Sequence, residues 1–154
     1  MLPLRHLYMS QAKVPLTPTA YKFQDKEIAD LVPIVNILLT CQHHCGKPVK
    51  CLLDTGSDFN IFPLEYGLLF LGFSAKTIKQ GLVVQIRGVG GVTKEAYGHY
   101  CDIQHPNFRL TKSLILFMAD QKIPLLGRVG FINCFNKVVY DMQNRVLDFS
   151  LSSA

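Results

Sequence analysis

The run Val49-Lys50-Cys51-Leu52-Leu53-Asp54-Thr55-Gly56-Ser57-Asp58 sets two carboxylates and two hydroxyls directly behind an apolar stretch. A carboxyl group so placed offers proton transfer, with an acidity set by its desolvation and its hydrogen-bond donors. Asp54 stands where a dry core meets its edge, and a charge there is costly unless it is hydrogen-bonded or neutralised. Cys41, His43, His44 and Cys45 form a second concentration of reactive groups, four metal-ligating side chains within five residues. Zinc is what such ligands would take. No second half of a site follows, however, and neighbouring histidines point apart on an extended chain. The cluster reads as a hairpin tip with reactive thiols, and no metal or other cofactor is expected.

The elements that position Asp54 follow from periodicity. Val49, Cys51 and Leu53 share one strand face and Leu52 takes the other, so the strand is covered on both sides. Gly56 lets the chain turn sharply behind it. Residues 34–40 alternate, with Val35, Ile37 and Leu39 on one face, and residues 42–48 are a loop; together they make a hairpin whose second strand delivers Asp54. Residues 59–63 are extended, and residues 64–70 suit a short helix ended by Gly72. Strands at 82–87 and 92–103 flank a mobile turn, Gly88-Val89-Gly90-Gly91. Further strands are expected at 108–110 and 114–118. Beyond Leu125-Leu126-Gly127, the spacing of Phe131, Ile132 and Phe135 predicts a short helix, weakened by Gly130. A last hairpin pairs 137–140 with 145–149.

The 154 residues suffice for one domain with a real core, and nearly half are hydrophobic. The expected division is an arm or removable leader over 1–30, carrying Pro3, Pro15 and Pro18 and a short strand near 21–23, then a domain over 31–150 and a tail over 151–154. No apolar run reaches membrane-spanning length, and residues 1–10 are interrupted by Arg5 and His6, so a cytoplasmic protein with no membrane partner is expected. Five cysteines, an odd number, suit free thiols better than a closed disulfide framework. The net charge of +5 is spread without a basic run or an aromatic-interleaved patch, so no nucleic-acid partner is expected.

Asp-Thr-Gly alone is equally a turn after an ordinary strand. In its longer context, Leu52-Leu53-Asp54-Thr55-Gly56-Ser57 resembles the active-site signature of aspartic proteases. Ile123-Pro124-Leu125-Leu126-Gly127-Arg128 resembles that family's downstream apolar-apolar-glycine motif, and the glycine-rich segment lies between the two, in the family's order. The resemblance is to the single-domain, retropepsin-like branch and spans residues 33–149. One departure is Val129-Gly130 after Gly127-Arg128, where viral enzymes usually carry a polar residue.

The resemblance implies a mainly β, closed barrel-like acid protease fold with one short C-terminal helix. It also implies a homodimer with the active site at the two-fold interface. Asp54 would be catalytic and Thr55 would brace the two active-site loops. Gly56 would offer backbone contacts to the peptide, and Ser57 would hydrogen-bond the carboxylate. Asp58 would contact the substrate backbone and pair with Arg128. Gly88, Val89, Gly90 and Gly91 would form a flap over the substrate, while Leu126, Gly127 and Arg128 would support the loop. With a single Asp-Thr-Gly, the second carboxylate of a hydrolytic pair has to come from a second copy of the chain. Two other readings stand beside this one: a catalytically silent dimer that binds peptides or proteins, and a small β-domain with a metal or nucleic-acid role.

Overall fold

The alternating stretch around Val35, Ile37 and Leu39 buries those three side chains together with Cys41, and a closed barrel is built outward from it. The structure is a computed structural model that describes residues 4–7 and 11–150. The ends of the expected arm and tail (residues 1–3, 8–10 and 151–154) lie outside the described residues.

In chain order the strands are β1 (Leu4–Leu7), β2 (Gln11–Pro15), β3 (Thr17–Phe23), β4 (Lys26–Val32), β5 (Ile34–Cys41), β6 (His44–Cys45) and β7 (Val49–Leu53). They continue with β8 (Asn60–Pro63), β9 (Leu82–Arg87), β10 (Thr93–His105), β11 (Phe108–Met118), β12 (Leu125–Leu126), β13 (Lys137–Asp141) and β14 (Val146–Ser150). Strands β11, β8, β12, β7, β5 and β10 lie side by side in that order, and pairing of β10 with β11 closes the barrel. Strand β12 is parallel to β7 and antiparallel to β8, so it is wedged between the strand that ends at Asp54 and the strand that leaves the following turn. Strands β13, β14 and β2 form a separate three-stranded sheet, and β3 and β4 a hairpin of their own.

Apolar side chains fill the interior. Phe108, Phe131, Phe135 and Phe149 pack ring against ring, with centroids 4.9–5.8 Å apart, which ties β14 to β11 and to the segment after β12. Such aromatic pairs add stability beyond the area they bury. Ala12 and Val14 of β2 are buried, so this part of the expected arm belongs to the packed body. The short strand expected near 21–23 falls within β3.

Two expectations are corrected. The strands expected at 108–110 and 114–118 are one strand, β11, which runs through a bulge of its own: Thr111 and Lys112, the latter at φ +56°, stand opposite the single residue Asp102 of β10. Asp102 faces that bulge, and its carboxylate accepts the Lys112 N–H at 3.1 Å and an Arg109 N–H at 2.6 Å. The helix expected over 64–70 is present, its last five residues, Tyr66–Phe70, forming a π-helical turn; beyond it Ser74 caps a five-residue helix, α1 (Ala75–Lys79), that periodicity did not disclose. The C-terminal helix is a single 3-10 turn, Ile132–Cys134. Gly130 at φ +91° and Phe131 at φ −139° turn the backbone away from helix, so the spacing of Phe131, Ile132 and Phe135 serves packing alone. No helix among the described residues is long and apolar enough to cross a membrane.

Candidate active site

Strand β7 ends paired on both sides. Leu52 N–H donates to the Pro124 carbonyl, Leu53 N–H to Pro33, and Asp54 N–H to Leu126, each at 2.9 Å. The chain then turns: Ser57 N–H returns to the Asp54 carbonyl at 3.1 Å, and Gly56 N–H donates to Asp54 Oδ1 at 2.9 Å. Asp54 is half-buried, while Thr55 and Gly56 are exposed.

The loop is fastened along its length to the segment after β12. Arg128 N–H donates to the Ser57 carbonyl at 3.0 Å and Val129 N–H to the Asp58 carbonyl at 2.8 Å. Arg128 Nη2 donates to Asp58 Oδ1, an exposed ion pair through one nitrogen. Gly127 lies so close to the loop that a Cβ there would collide with the carbonyls of Phe59 and Ser57. Only glycine allows two backbones this near.

Ser57 is corrected. Its hydroxyl donates to the Phe59 carbonyl at 2.7 Å and not to Asp54. The serine steadies the exit from the turn, and the donor to the carboxylate is the Gly56 N–H. The Gly88–Gly91 turn joins β9 to β10, closed by Gly88 N–H to the Val92 carbonyl at 3.0 Å, with Val89 fully exposed at its tip. Within one chain it does not meet the Asp54 loop through any contact described; Gly88 and Val89 instead line a cavity of about 250 Å³ with Met118, Asp120 and Gln121. The Cys41, His43, His44, Cys45 cluster does not converge. Cys41 donates to the Tyr100 carbonyl at 3.2 Å, and His44 packs edge-on against Phe73. Among the described residues no group of three or more His, Cys, Asp or Glu side chains is placed to hold a metal.

Two features of the site were not read from the sequence. Asn60 and Ser113 are fully buried polar residues beneath the loop. Asn60 Oδ1 accepts the Gly127 N–H at 2.9 Å, and its amide donates to the Leu114 carbonyl at 3.1 Å and to Ser113 Oγ at 3.3 Å. Ser113 in turn donates to the Gly130 carbonyl. A lone Asn inside Phe59-Asn60-Ile61-Phe62 was the available signal, since a buried amide needs partners. The second is Tyr140 on β13, whose phenol is held above its ordinary 10.0 by burial first and by the negative charge of Asp54 second, which places it within electrostatic reach of the carboxylate.

No protein-family model matches the sequence, and no curated protein matches it. Among solved structures, a retropepsin-like aspartic protease from Rickettsia conorii superposes with a TM-score of 0.60 at 14% identity, over 99% of this chain and 96% of that one. The chain has the retropepsin-like fold. A weaker similarity, TM-score 0.39 at 24% identity over 63% of this chain and 82% of the other, is to EIAV protease complexed with the inhibitor HBY-793. Within the retropepsin-like fold, Asp54 occupies the end of a barrel strand, and the Leu126–Arg128 segment lies beneath its turn.

Proposed function

We propose that this chain is an aspartic endopeptidase that works as a homodimer, each protomer supplying one Asp54 to a single site. The observation that carries the reading is how Asp54 is held. Its backbone is pinned to Leu126, Gly56 N–H binds one carboxylate oxygen, and the neighbouring Thr55 and Gly56 stay exposed to meet another molecule. Such a loop is rigid behind and open in front, as a reacting group needs.

A two-fold axis between two such loops brings the carboxylates face to face. Like charges about 3 Å apart do not both ionise, so the pair shares one proton. The ionised member takes a proton from water as the water attacks the scissile carbonyl. The protonated member donates to that carbonyl oxygen, and the pair then protonates the departing amine. Thr55 braces the two loops, Gly56 and Asp58 hold the substrate backbone, and the Gly88–Gly91 turn closes as a flap that excludes water. The substrate is an extended peptide bound in strand form.

The test is cleavage of a mixed peptide library across acidic to neutral pH, with the dimer fraction recorded at each point. Cleavage by the wild-type chain that disappears in a dimeric Asp54→Asn variant is the expected result. A wild-type dimer that cleaves nothing would favour a binding module instead.

A further inference from the structure

Strands β5 and β10 pair antiparallel, with Ile103 opposite Leu39 and Asp102 opposite Thr40. The next step of that register sets Cys101 directly opposite Cys41. Both side chains point inward and both are buried. Directly opposed residues on antiparallel strands have Cα atoms about 4.5–5.5 Å apart, within the span that a disulfide bridges. The two thiols lie near enough to shift each other's acidity. On its other side, Cys41 lines a cavity of about 320 Å³ with Gln42, Gln80, His99 and Tyr100.

We propose that Cys41 and Cys101 are a peroxide-sensitive pair that closes into a reversible cross-strand disulfide. The cavity gives a small peroxide its approach to Cys41. The contact from Cys101 holds Cys41 below the ordinary thiol pKa, whereas the same contact together with burial raises Cys101. Cys41, the member of the pair that lines the cavity, is therefore the sulfur that attacks first, and Cys101 follows in the second step. In the first step the Cys41 sulfur attacks one peroxide oxygen. An S–O bond forms, the O–O bond breaks, and the departing oxygen is protonated to water. In the second step the Cys101 sulfur attacks the Cys41 sulfenic acid. The S–S bond forms, the S–O bond breaks, and the leaving hydroxide takes the Cys101 proton as a second water. The two sulfurs lose two electrons in all, and the two peroxide oxygens gain them.

The other three cysteines are placed differently. Cys51 and Cys134 are buried elsewhere, and Cys45 is exposed. Cys101 lies just past Gly98, the β10 residue that pairs with Leu82 at the root of the β9–β10 hairpin. The new bond ties that root to barrel strand β5. If the hairpin is a protease flap, the bond restrains its closure and lowers turnover; that consequence, unlike the bond itself, rests on the proposed function.

The test uses the full chain treated with hydrogen peroxide, after which remaining thiols are alkylated and peptides mapped by mass. The wild-type chain and Cys45→Ser are both expected to yield a peptide joining Cys41 to Cys101 that dithiothreitol separates. Cys101→Ser is expected to lose that peptide and to carry Cys41 forward to the sulfinic acid. Recovery of Cys41 and Cys101 as alkylated thiols while Cys45 is oxidised would overturn the proposal, and so would a Cys41–Cys45 link. The map reads the bond without any turnover, so an inactive enzyme leaves the answer intact.

Discussion

The side-chain carbonyl of Asn60 accepts the backbone N–H of Gly127 at 2.9 Å, joining positions 67 residues apart inside the barrel. The same amide holds the Leu114 carbonyl and Ser113. One residue thereby sets β8, β11 and the segment after β12 against one another directly beneath the Asp54 turn. Asn60→Ala strands the Gly127 N–H and the Leu114 carbonyl in a dry interior. Each stranded group costs about 1–3 kcal/mol, so the variant is expected to lose about 3 kcal/mol in a urea titration. A loss below about 0.5 kcal/mol, the size of an ordinary surface change, would mean that the network is not what holds the loop.

Gly127 and Arg128 are neighbours with opposite expected sensitivities. A methyl at Gly127 has to push the Phe59 and Ser57 carbonyls aside. Gly127→Ala is expected to cost about 1–3 kcal/mol, as overpacking does, and to cut turnover about 100-fold by shifting Asp54. The Arg128–Asp58 pair is exposed on both sides. Arg128→Gln is expected to cost no more than about 1 kcal/mol. Equal losses in the two variants, read by the same denaturation assay, would contradict this ordering.

Tyr140 reports on the charge at Asp54. Burial and that charge both raise its phenol above 10.0. Asp54→Asn removes only the second cause. In that variant the Tyr140 titration, followed by NMR, is expected to move down toward 10.0 while staying above it. An unchanged titration would place the tyrosine out of electrostatic reach of the carboxylate.

His105 gives a stability effect of definite sign. Its Nδ1 accepts the Asn107 N–H at 3.1 Å, its ring stacks on Phe108 at 4.6 Å, and burial lowers its pKa from 6.5. The unfolded chain therefore takes up this proton first as the pH falls. The stabilisation is full above pH 6.5, is lost between 6.5 and the lower folded value, and falls no further below that. His105→Gln is expected to flatten the denaturation midpoint over this window relative to the wild-type chain. Parallel midpoint curves for the two proteins would refute the assignment.

How far the fold was legible follows from what each signal measures. Strand β7 and the Asp54 turn were readable because alternation and a terminal carboxylate are local. The β9–β10 hairpin was readable because glycines marked its turn. The apolar spacing of Phe131, Ile132 and Phe135 misled, since an aromatic cluster and a helix face can share it; only the backbone at Gly130 separates the two. Ser57 was assigned to Asp54 by resemblance, yet the nearer acceptor, the Phe59 carbonyl, takes its proton. The partners of Asn60 and the opposition of Cys41 to Cys101 depend on strand register, which no local pattern carries.

The central claim is that each active site takes one Asp54 from each of two chains. Subunit mixing tests it most directly. A fixed amount of wild-type chain is mixed with increasing Asp54→Asn chain, allowed to exchange, and assayed on a cleavable peptide. Wild-type chains drawn into mixed dimers should then lose activity, so that turnover falls toward zero as the variant is added in excess. Turnover that stays constant per wild-type chain, in samples shown to contain mixed dimers, would mean that a single Asp54 suffices and would contradict the shared site.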